Sequence, residues 1–181
     1  MRNVFLMALI WFIAAQVATG QSPGASEYEV KAAFLYNFAK FVEWPPNTFS
    51  DDGPLRFCVV GKDPFGGELE TTIQGRTVGG RQLAVWRPHS AEESRHCQVL
   101  FVSISGRGVV KELLTELRGA PVLTVGEDRE FLKVGGMISF VLDEERVRFE
   151  INPISAEREH LKISAKLQAL ARAIVAEGTG K

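Results

Sequence analysis

Apolar positions in this chain follow two periods, and their succession predicts the fold. A helical period comes first. From Glu27 to about Glu43 the residues Val30, Phe34, Leu35, Phe38, Phe41 and Val42 project onto one broad arc, with Asn37, Lys40 and Glu43 opposite. Pro45-Pro46 then stops the helix. Lys31 breaks the pattern, because it falls in the middle of the apolar arc. Either it snorkels from the first turn of a core-covering helix, or this face meets a carboxylate or a partner.

Strand-like runs follow. Leu55–Val60 reads as a buried strand ending at Gly61, Gln82–Arg87 as a second, and Cys97–Ile104 as a third, almost continuously apolar and therefore covered on both faces. Pro121–Val125 is a fourth, and Met137–Leu142 and Arg146–Asn152 form a hairpin around Asp143-Glu144-Glu145. In its second arm Val147, Phe149 and Ile151 alternate with Arg146, Arg148 and Glu150. Helices are predicted between the strands. One runs from Pro64 to Ile73 with Asp63 as N-cap, a short turn covers Ser90–Arg95, and another helix runs from Ser105, its N-cap, to Leu117. Asp128–Lys133 is a short helix. A last one runs from Pro153 to about Val175, with Ile163, Leu167, Leu170 and Ile174 as its seam. Strands alternating with helices predict an α/β fold: one domain over residues 27–176, with a mostly parallel Rossmann/flavodoxin-like sheet flanked by helices and an antiparallel edge hairpin.

Composition changes this picture at the ends only. The chain has 181 residues, 45% hydrophobic and 24% charged, with net charge −1. That is an ordinary globular balance, and it gives no electrostatic case for nucleic acid. Arg2, the apolar run Val4–Val17 and the small residues Ala18-Thr19-Gly20 read as a cleaved signal peptide over residues 1–20. The run is too short for a comfortable membrane span, so export to the periplasm is expected. Residues 21–26 are expected to be a mobile leader, and 177–181 a frayed tail.

The chemistry-bearing residues are few. GKDPFGG after the first strand lacks the GK[ST] ending of a phosphate loop and reads as a turn, and SISGRG reads as a helix cap before it reads as an anion site. His89, His96 and His160 are scattered without ligand spacing, so neither a metal nor a cofactor is expected. No nucleophile–base–acid set is evident, so the chain reads as a non-enzyme. Cys58 lies inside the first strand and Cys97 at the head of the third. A doubly wound sheet makes those strands neighbours, within reach of a disulfide; two buried free thiols are the alternative. Arg148 and Glu150 on the polar hairpin face, with Lys162 and Ser164 close by in sequence, form a candidate corner for a ligand or partner.

Taken together, YEVKAAFLYNFAKFVEWP (28–45), FCVVGKDPFG (57–66), CQVLFVS (97–103), PVLTVGE (121–127), GGMISFVLDEERVRFEIN (135–152) and LKISAKLQALA (161–171) resemble the YfiR family of bacterial periplasmic proteins. The resemblance implies a regulator that represses an inner-membrane diguanylate cyclase through its periplasmic sensor region, relieved by an outer-membrane lipoprotein. It also implies a homodimer and a Cys58–Cys97 disulfide. A second cysteine pair of the best-known member, near GGMISF, is absent from Met137–Leu142. The alternative is a small-molecule-binding sensor module serving a histidine kinase or a transport system.

Overall fold

The computed structural model describes residues 23–49 and 53–175. The expected signal peptide and the tail at 177–181 lie outside them.

Helix α1 (Pro23–Lys40) is followed by a two-residue strand β1 (Val42–Glu43). The main sheet is built from β2 (Leu55–Gly61), β3 (Thr77–Val78), β4 (Arg81–Trp86), β5 (Val99–Ser103), β6 (Leu123–Gly126), β7 (Ile138–Asp143) and β8 (Arg146–Ile151). Between them lie α2 (Glu68–Ile73), α3 (Ala91–Ser94), α4 (Arg107–Glu116) and α5 (Arg129–Lys133). After the hairpin come α6 (Pro153–Arg158), β9 (Lys162–Ile163), α7 (Ala165–Gln168) and β10 (Ala173–Ile174). The sheet order is β10-β8-β7-β6-β5-β2-β4-β3, parallel from β4 through β7, with β7–β8 and β3–β4 antiparallel. This is the expected mixed α/β fold, with the first long strand between the second and third as in a flavodoxin-like sheet. A separate antiparallel pair joins β1 to β9.

Alternation along the strands separates two cores. Phe57, Val59, Phe101, Val125, Phe140 and Phe149 face α1, where Phe34 and Phe38 meet Phe140 and Phe149 in an aromatic cluster with centroids 5.0–6.0 Å apart. Cys58, Val60, Leu100 and Val102 face the opposite side, against Val110 and Leu113 of α4 and Leu117 just after it. The Cys58–Cys97 disulfide lies in this second core, with Cα atoms 6.0 Å apart.

Several expectations need correction. Helix α1 begins at Pro23, inside the stretch expected to be a leader, and ends at Lys40 because residues 42–43 pair with β9 instead. Helix α2 begins at Glu68, not at Pro64, because Gly66 and Gly67 adopt φ values of 58° and 104° that no right-handed helix can contain. Asp63 still acts locally, its carboxylate accepting from the Phe65 amide. Helix α4 is capped by Gly106 without a side-chain bond, so Ser105 is not its N-cap. The largest change is the last helix. It is four short elements: His160 takes φ +60°, and the chain then pairs with β1 and again with β8. The hairpin is therefore flanked by β10 and is not the sheet edge.

Candidate functional site

Helix α1 presents Lys31, Leu35 and Phe38 as its buried line, with Ala32 and Ala39 beside it, and Val42 of β1 continues the line. Val30, expected in the apolar arc, is 41% exposed. Lys31 therefore occupies a core position, at 4% exposure. Its ammonium bonds two carboxylates: Glu27, one turn earlier, and Glu127, which follows the last residue of β6. Tyr28 closes the cluster, with its ring centroid 4.4 Å from the ammonium and its hydroxyl donating to Glu127 at 3.4 Å. Burial lowers the Lys31 pKa, but the bonds to Glu127 and Glu27 outweigh it, so the ammonium is held above the usual lysine range. Burial, then the negative charge of Glu127, pushes the Tyr28 phenol up. Of the two sequence readings, Lys31 meets carboxylates of its own chain and does not snorkel.

A second ion cluster lies on the same, carboxyl-terminal edge of the parallel strands. Arg87, just after β4, bonds Asp63 at 2.7 Å and Glu70 of α2 at 2.6 Å. The bond to Glu70 is the leading cause that holds its guanidinium above its ordinary range. Tyr28 and Phe65 join the two clusters edge to face, with centroids 5.5 Å apart. Doubly wound folds bind ligands at this edge. Here the chain's own ion pairs tie α1 and α2 down across it.

The hairpin carries a third cluster. Glu150, expected on the polar face of the hairpin as part of a ligand or partner surface, is 5% exposed. Its carboxylate meets Arg172 and Arg129, each at 3.1 Å, and Arg172 also bonds Asp143 at 3.2 Å. The Arg172 amide donates to Phe149 O at 2.8 Å, so this arginine pins the segment before β10 onto β8 twice over. Arg148 is exposed on the same face. Lys162 and Ser164 lie elsewhere, on the strap that closes the end of α1. Lys162 is exposed 3.8 Å from Glu43 across the β1–β9 pair, and Ser164 caps α7 while its amide donates to Phe41 O. The four residues expected in one corner thus form two separate places, because the break at His160 redirects the chain. Glu27 was within reach of a sequence reading, four residues before Lys31; Glu127 lies 96 residues away, and no local pattern points to it.

Among the described residues no helix is long and apolar enough to cross a membrane, and no group of His, Cys, Asp and Glu could hold a metal.

All three clusters, except for Glu27, fall inside one family signature, since the YfiR/HmsC-like family profile matches residues 28–172. The chain belongs to the YfiR/HmsC-like family. That family is periplasmic and regulatory. Its match starts at Tyr28 of the Lys31 cluster and ends at Arg172, the partner of Glu150. Among solved structures, the chain is similar to the ABC domain in complex with L-Trp from Streptococcus pneumonia, with TM-score 0.54 and 11% identity over 80% of this chain and 60% of that one. It is also similar to a conserved domain protein from Vibrio cholerae O1 biovar eltor str. N16961, with TM-score 0.49 and 12% identity over 85% of this chain and 60% of that one. This chain thus spans about 60% of the length of either protein. The first likeness is one of fold alone.

Proposed function

We propose that this YfiR/HmsC-like protein is a non-enzymatic periplasmic regulator that binds the periplasmic sensor region of an inner-membrane signalling protein and holds it repressed. The signalling protein is, by family, a diguanylate cyclase, and an outer-membrane lipoprotein relieves the repression. The observation that carries this reading is the family match over residues 28–172. Export by a cleaved leader and assembly as a homodimer belong to the same proposal.

The partner surface we favour is the end of the sheet around the hairpin. Leu142 on β7 is 61% exposed, Leu170 just before β10 66% and Ile174 on β10 47%, three bare aliphatic side chains on the elements that flank β8. Arg148 adds an exposed charge on the other face of the hairpin, where it pairs with Val141. In this reading Arg148 touches the partner, Glu150 positions Arg172 beneath it, and Lys31 fixes α1. Lys162 and Ser164 serve a second contact at the strap. The test is capture from envelope extracts by the tagged full chain, with cyclase output measured in cells. Wild type should recover a membrane sensor and lower cyclic-di-GMP; Leu142→Asp with Arg148→Glu should lose both while melting like wild type. Recovery of no sensor by the wild type would sink the proposal.

A second reading, a small-molecule sensor module serving a histidine kinase or transport system, has its own support. A groove of about 780 Å³ opens at the amino-terminal edge of the sheet between Phe49, Arg56, Arg95, His96 and His160. The structurally similar ABC domain was solved with L-Trp. Thermal shift against L-Trp separates the readings, since saturable binding raises the melting temperature with ligand concentration.

A further inference from the structure

A different groove, of about 960 Å³, runs between α4, the end of α5 and the start of α6, on the sheet face away from α1. Its charge is one-sided. Arg107, Lys111, Arg118, Lys133 and Arg158 line it, against the single carboxylate Glu159. That carboxylate is already used, since it accepts from the Gly119 amide. Glu130, near the groove, bonds both Arg107 and Lys133. Lys111 and Arg118 are exposed and have no carboxylate partner among the described residues. The floor is apolar, formed by Leu114, Leu132 and Val134.

Ser155 adds an independent sign. It lies in the groove wall at 4% exposure, and its hydroxyl has no hydrogen-bond partner. Its amide is satisfied by the Asn152 side chain, so only the hydroxyl is left over. A buried hydroxyl without a partner is costly and uncommon in folded proteins. A hydroxyl can donate, and an oxyanion can only accept. Unmatched cations at the rim, an apolar floor and a spare buried donor together match an amphipathic anion: a small molecule with an apolar body and a phosphate or carboxylate head.

We propose that this groove is a binding site for such an anion, with Lys111 and Arg118 recognising the head and Ser155 donating to it. The site is separate from the sheet end proposed for the partner and from the amino-edge groove, and it stands or falls independently of both.

The test is titration calorimetry of the full exported chain with phenyl phosphate, phenylacetate and benzyl alcohol at low salt. One or both anions should bind saturably, at about millimolar Kd or tighter, and weaken as salt screens the rim. The better of the two identifies the head group, and benzyl alcohol should bind at least about tenfold more weakly than that anion. Lys111→Glu with Arg118→Glu, both surface changes, should weaken anion binding by about tenfold or more with an unchanged melting temperature. Ser155→Ala should weaken it by about threefold or more. Equal binding of benzyl alcohol, unchanged affinity in the double charge reversal, or no saturable anion binding up to about 10 mM would each overturn the assignment.

Discussion

Lys31 illustrates how one charged side chain can take a core position. Its stem lies along the buried line of α1, and its ammonium is matched by Glu27 and Glu127, whose side chains keep 27% and 30% exposure. Removing one partner of a buried pair strands the other charge, at about 3–5 kcal/mol for full burial. The carboxylates are partly wet, so Lys31→Met should cost about 2–4 kcal/mol in urea unfolding, and adding Glu127→Gln should restore part of it. No loss of stability would mean that the ion pairs are structurally idle. The sign with pH follows from the raised Lys31 pKa. The folded state holds this proton more tightly than the unfolded chain, so the stabilisation is present through neutral pH and fades above the ordinary lysine range. Tyr28, also raised, adds to the same alkaline loss. Unfolding free energy should therefore fall more steeply with alkaline pH in the wild type than in Lys31→Met. Glu150 makes the matching case on the hairpin: Arg172→Ala leaves it only the exposed Arg129 and should cost about 2–3 kcal/mol.

The packing of β2 against β5 depends on the absence of a side chain at one point. A Cβ on Gly61 would lie 2.4 Å from the Ser103 carbonyl oxygen, and its φ of 94° is one that other residues rarely adopt. The clash is with backbone, so no rotamer relieves it. Gly61→Ala should cost about 3 kcal/mol or more, read as a lower urea midpoint, and should spread the two strands at their carboxyl ends. A near-neutral change would contradict this close approach. The last quarter of the chain depends on pairing in the same way. Its spacing fits a helix, yet Leu170 and Ile174, two of the four seam residues, are 66% and 47% exposed. Ile163 instead pairs with Val42, and Ala173 and Ile174 pair with Glu150 and Ile151. These distant strands supply backbone partners that a local helix would otherwise provide, and Asn152 and Ser164 cap the short helices left between them.

The fold as a whole is closed by a covalent link from β2 to the segment that leads into its parallel neighbour β5. The Cys58–Cys97 bridge spans a sequence separation of 39 residues. In the chain-entropy model a loop of that length stabilises by about 4 kcal/mol. Cys58→Ser with Cys97→Ser should therefore lower the melting temperature by about 8–15 °C. Such dependence suits a protein that works in an oxidising compartment. The opposite faces of the sheet also divide the work proposed here: ion pairs tie α1 and α2 over the carboxyl edge, the hairpin end offers exposed aliphatics to a partner, and the cationic groove lies behind α4. If partner capture survives Lys111→Glu with Arg118→Glu but anion binding does not, the two surfaces are functionally distinct.

The chain's own pattern was enough for the long strands, the parallel sheet with its hairpin, and the neighbouring placement of Cys58 and Cys97. Each rests on a local period, on the right-handed crossover, or on both. It was also enough to mark Lys31 as out of place. The partner of that lysine, the burial of Glu150 under Arg172, the fragmentation of the last helix and the cationic groove were decided only by the tertiary structure. The reason is physical. A period records which face of an element is apolar, but a charge is satisfied by whatever the fold brings within about 3 Å, whatever its distance along the chain. Residues 31 and 127 meet because α1 crosses the sheet at the end of β6, and no stretch of sequence contains that crossing.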